Sequence, residues 1–92
     1  MKKYTILLHP KVVEFINGKG NTFKNRIKKK LNKISENPFH YLEHYEGMDY
    51  YKLRIGDYRL LVDIDFKRKI LFIRVFDKRN RIYKKLKRKK FE

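Results

Sequence analysis

The chain predicts an α+β sandwich, with two N-terminal helices packed on one face of a small antiparallel-rich sheet, and three observations carry that expectation. A short strand pattern opens the chain, two stretches of helical periodicity follow before residue 38, and three strand patterns separated by tight turns fill residues 50–76. The order is β-α-α-β-β-β with a basic tail or short helix at the end. No repeat and no linker interrupts it, so residues 1–92 read as a single domain. A domain of this size buries about 60 to 65% of its unfolded surface. That leaves room for one core and a shallow site, and no cofactor is expected.

The elements follow from local chemistry. Tyr4, Ile6 and Leu8 alternate on one face of an opening strand. Pro10 then suits the first turn of a helix, and Val12, Phe15 and Ile16 form its apolar stripe until Asn17-Gly18 ends it. A second helix begins after Gly20 with Asn21 or Thr22 as its cap. Phe23, Ile27, Leu31 and Ile34 recur at helical spacing until Asn37-Pro38 stops it. Its remaining positions carry Lys24, Arg26, Lys28, Lys29, Lys30 and Lys33 with no acid among them. Residues 39–48 read as irregular, with Gly47 marking a bend. Ile70 to Phe76 is nearly all apolar and follows the turn Asp65-Phe66-Lys67-Arg68, which predicts a central strand covered on both sides.

Charge is the strongest bulk statement. Lys and Arg number 26 against 10 Asp and Glu, a formal charge of +16, so a polyanionic partner is the first expectation. The last sixteen residues alone hold nine cations, which predicts either a basic helix or an extended phosphate-binding arm. No stretch is long enough to span a bilayer, the Met1-Lys2-Lys3 start lacks the apolar core of a signal peptide, and no segment sets a lipid-inserting face beside a basic one. A cytoplasmic protein with nucleic acid rather than membrane as partner is expected. The absence of cysteine excludes disulfides, thiolate metal sites and a cysteine nucleophile.

Metal chemistry has two weak candidates. His40 and His44 have the H-x3-H spacing, with Glu43 or Glu46 as an oxygen ligand, but the segment is not convincingly helical and the spacing then has no geometric meaning. Asp63 and Asp65 share a strand face and suit Mg²⁺, yet a strand end and a turn explain them as well. No metal is expected.

The most informative segment is the hairpin around Gly56-Asp57. With those two residues as the loop, Ile55 pairs with Tyr58, Leu53 with Leu60 and Tyr51 with Val62, giving a continuous apolar face. The other face sets Arg54 directly opposite Arg59, with Lys52 facing Leu61 and only Asp63 as a nearby acid. Like charges directly opposite are destabilising, so an anionic ligand is the expected reason for them, and Arg59→Ala is expected to leave the fold intact or slightly more stable. With Lys78, Arg79 and Tyr83 beyond the last strand, these residue types suit metal-free cleavage of RNA. The 2'-hydroxyl already lies beside its phosphate, so an enzyme need only align it, move protons and neutralise the phosphorane. Candidate RNA contacts beside this set are Tyr58, Lys78, Arg81 and, on the second helix, Lys28 and Lys29.

Tyr51-Lys52-Leu53-Arg54-Ile55-Gly56-Asp57-Tyr58-Arg59-Leu60 and Asp77-Lys78-Arg79-Asn80-Arg81-Ile82-Tyr83 resemble the hairpin and C-terminal motifs of RelE-like toxins, in the RelE/ParE superfamily of type II toxin-antitoxin systems. The resemblance implies a ribosome-dependent mRNA endonuclease that cuts in the A site, leaves a 2',3'-cyclic phosphate and is neutralised by an acidic, helical, RelB-like antitoxin. It makes Lys52, Arg54 and Arg59 the catalytic basic residues, Arg79 a transition-state or leaving-group contact, and Tyr83 a residue that stacks on the base or assists proton transfer. Arg54 stands where some members carry lysine. Arginine stays protonated, so Lys52 is the better candidate base. Two other readings remain open at this point: a ParE-like inhibitor of DNA gyrase, and a non-enzymatic RNA- or ribosome-binding protein.

Overall fold

The computed structural model describes residues 3–44 and 49–82. It is an α+β fold, as expected. Strand β1 (Thr5–Leu8) leads through helices α1 (Pro10–Asn17), α2 (Asn21–Glu36) and α3 (Pro38–Tyr41) to β2 (Glu43–His44), then to β3 (Tyr51–Ile55), β4 (Tyr58–Asp65) and β5 (Ile70–Lys78). The sheet order is β1-β5-β4-β3-β2, with β1 parallel to β5 and the other neighbours antiparallel. Residues 79–82 are helical. Gly47, Glu46, Tyr83 and the rest of the basic tail lie outside the described residues.

The apolar stripes meet on one side of the sheet. Val12 and Ile16 of α1 and Ile27, Leu31 and Ile34 of α2 pack in one cluster with Leu53, Ile55, Leu60, Val62, Leu71, Ile73 and Phe76. Tyr58 joins Phe15, Phe23 and Phe76 at the end of this core, with ring centroids 5.4 to 5.8 Å from it. The hairpin register is as read from the sequence, down to Arg54 opposite Arg59.

Three local expectations are corrected. The segment after Pro38 holds a short helix and a two-residue edge strand, β2, too brief to leave a periodic signal. Gly20, at φ 92°, takes the position before α2, and neither Asn21 nor Thr22 supplies a side-chain cap. Strand β5 is central, but only its helix side is fully covered; Ile70, Phe72 and Val75 are half-buried. An irregularity between Leu61 and Val62 pairs Val75 and Ile73 with them, leaving Arg74 as the extra residue. Among the described residues no helix is long and apolar enough to cross a membrane.

Candidate functional site

On the sheet face away from the helices, register builds two rows of side chains. One runs Glu43, Lys52, Leu61, Val75 across β2, β3, β4 and β5; the other runs Arg54, Arg59, Asp77 across β3, β4 and β5. Neighbours along a row are one strand apart, about 4.8 Å, and the rows are about 7 Å apart along β3. The first row therefore carries one cation and the second carries two, each row with one carboxylate at its end. The expectation of a cation patch with only Asp63 near it is thus corrected: Asp63 is paired with Arg74, while Glu43 lies 3.7 Å from Lys52 and Asp77 stands in register with Arg59. Asp77 lay in the tail motif and Glu43 in the segment read as irregular, so neither was recognisable as a cross-strand neighbour.

The cations differ in how free they are. Arg54 is exposed and Lys52 half-buried. Arg59 is only 8% exposed, and its Nη1 donates to the carbonyls of Gly56 at 2.9 Å and Tyr58 at 2.8 Å. It braces the turn from inside. Gly56 itself, at φ 58°, needs the conformational freedom of glycine, and Arg26 of α2 reaches the same turn: its Nη2 would stand 3.5 Å from a Cβ at Gly56. Arg26 is a site neighbour that sequence reasoning placed only on the solvent face of α2.

The turn is also tied to the start of the C-terminal helix. The Arg79 amide donates to the Asp57 carbonyl at 3.0 Å, so the two motifs singled out in the sequence come together in space. Asp77 is 7% exposed; its Oδ1 accepts from the Lys78 amide at 2.8 Å and lies 3.7 Å from Nη1 of Arg81. Lys78, Arg79 and Arg81 are exposed around it. Arg54, Arg59 and Arg79 thus lie at the Gly56-Asp57 end of the sheet, with Lys52 two residues back along β3 from Arg54 on the same face.

Other predicted contacts fall elsewhere. The Tyr58 ring is taken up by the aromatic cluster under the helices. Lys28 and Lys29 are exposed on α2, on the helical layer rather than on the cationic sheet face. The described residues bring no three His, Cys, Asp or Glu side chains together as a metal site. His40 and His44 instead meet the rings of Tyr41 and Tyr51, and Asp65 accepts the amides of Lys67 and Arg68 in its turn.

The family model described as the ParE toxin of the type II toxin-antitoxin system, parDE, matches residues 9–83. No curated protein matches the chain in sequence. Among solved structures, the archaeal RelE-RelB complex from Pyrococcus horikoshii is similar at a TM-score of 0.73 and 24% identity, over 88% of this chain and 99% of that one. The RelBE2 toxin-antitoxin complex from Mycobacterium tuberculosis is similar at 0.68 and 20% identity, over 84% and 99%. The isolated E. coli RelE toxin is similar at 0.66 and 22% identity, over 94% and 97%.

Proposed function

The chain belongs to the ParE toxin family of type II toxin-antitoxin systems, within the RelE/ParE superfamily, and from that premise we propose that it arrests translation by cutting mRNA in the ribosomal A site. As a toxin of such a system it has a cognate antitoxin. The observation that carries the endonuclease reading is that Lys52 and Arg54 share one sheet face with Arg59, while the Arg79 amide on the Asp57 carbonyl brings the C-terminal motif to the hairpin turn.

In this reading Arg54 and Arg79 hold the scissile phosphate and neutralise the charge that grows on it, which requires no metal. Lys52, the one lysine of the hairpin, takes the proton from the 2'-hydroxyl as the neutral amine, and Glu43 beside it faces the ammonium that forms. Arg59 acts from beneath: its bonds to the Gly56 and Tyr58 carbonyls hold the turn from which Arg54 projects, and its charge adds to the local field. Tyr83, by the family resemblance, stacks on the base or assists the leaving 5'-oxygen. Free RNA is bound but cut poorly, because binding alone does not align the 2'-hydroxyl and the ribosome does.

Gyrase inhibition is the second reading, and the match to the ParE family model is the observation in its favour. Two assays on one preparation separate them: a reconstituted translation reaction and a gyrase supercoiling reaction. Endonuclease action stops the first and leaves the second untouched. Supercoiling lost while translation continues overturns the endonuclease reading.

A further inference from the structure

We propose that the β4–β5 turn and the aromatic cluster beside it form a second binding site for single-stranded RNA, at the end of the sheet opposite Gly56-Asp57. The eight residues of β4 separate the two ends by about 23 Å. The proposal goes beyond the cleavage reading and stands whether or not the chain cuts RNA, because it is read by binding.

Two exposed phenylalanines start the argument. Phe39 of α3 and Phe66 of the turn are 56% and 53% exposed, and their rings are parallel, 1° apart in plane with centroids at 5.9 Å. Tyr4 meets Phe39 edge-on at 6.3 Å and Tyr51 meets Phe66 at 6.5 Å, so the pair rests on a fixed aromatic base. A pair of that kind, half open to solvent, offers faces on which bases of any sequence stack.

Cations supply the complementary half. A depression of about 340 Å³ on the same turn is lined by Lys3, Thr5, Lys67, Arg68 and Lys69, while Phe66 itself lines a neighbouring one with Lys67, Asp63 and Asp65. Lys3 is paired with Glu36 and Arg68 lies 4.0 Å from Asp65, while among the described residues no carboxylate lies within 4.0 Å of Lys67 or Lys69. Lys69 is also the one described non-glycine residue at positive φ, 56°, and its ammonium sits 5.9 Å over the Tyr4 ring. The turn therefore joins phosphate-binding charge to stacking surface, which an apolar peptide would not use and a nucleic acid strand would.

Fluorescence anisotropy with labelled oligouridine tests this on the full chain. Phe66→Ala is expected to weaken binding about fivefold or more, with Phe66→Trp restoring it. Lys67→Gln with Lys69→Gln is expected to lower the magnitude of the log-log salt slope by about 1.4, from about 0.7 per phosphate contact. Lys11→Gln with Lys19→Gln, on and after α1, removes equal charge and is expected to cost clearly less. Equal losses from both charge pairs, or an unchanged affinity in folded Phe66→Ala, would overturn the site. So would unchanged RNA binding together with lost antitoxin binding, which would mark the patch as a protein contact.

Discussion

Arg59 and Asp77 stand opposite each other across β4 and β5, both more than nine-tenths buried on the sheet face that also carries exposed Arg54. This pairing changes the meaning of the facing arginines. The Arg54 and Arg59 charges are not left side by side: Arg59 is drawn inward by two carbonyls, and only Arg54 projects into solvent.

Arg59→Ala is therefore expected to destabilise the fold, contrary to the sequence-based expectation. It removes two charge-assisted bonds to carbonyls, a loss of about 2 to 4 kcal/mol. Urea unfolding of the two proteins checks this. An unchanged midpoint would show that Arg59 contributes charge without bracing the turn.

Arg54→Ala and Lys52→Ala are expected to abolish growth arrest while changing stability by no more than about 1 kcal/mol. Arg54 is exposed, and the Lys52–Glu43 pair, at 3.7 Å with Glu43 exposed, is of the kind that contributes little. Induced expression with parallel thermal melts separates activity from folding. A folded Arg54→Ala protein that still arrests growth would remove Arg54 from the chemistry.

Much of this arrangement was legible in the sequence because the hairpin is self-specifying. A glycine able to take positive φ at 56 fixed the loop, and the period of two then fixed every partner from Tyr51–Val62 to Ile55–Tyr58. The stripes of α1 and α2 were equally plain. What stayed hidden was non-local. That Asp77 would register with Arg59 depends on the β5 irregularity at Arg74, and that Glu43 would meet Lys52 depends on a strand of two residues. Arg59's inward turn toward Gly56 is a rotamer choice that alternation cannot foretell, and it separates a bracing arginine from an exposed one.

The two positive-φ turn residues predict opposite responses to substitution. Gly56→Ala places a Cβ in the left-handed region at a cost of about 1 to 2 kcal/mol, although 3.5 Å to Arg26 leaves ordinary room for it. Lys69→Asn replaces a residue poorly suited to φ 56° by one that tolerates it, and is expected to stabilise by about 0.5 kcal/mol. Calorimetric melts should move apart in those directions. A stabilised Gly56→Ala would mean that the turn relaxes out of the left-handed region.

The most direct test of the central claim is the chemistry of mRNA ends on ribosomes treated with purified toxin, mapped at nucleotide resolution. The account predicts cuts within the A-site codon that carry 2',3'-cyclic phosphate and vanish in Lys52→Ala and Arg54→Ala. Intact mRNA on arrested ribosomes, or cut ends that carry a 3'-hydroxyl, would contradict it.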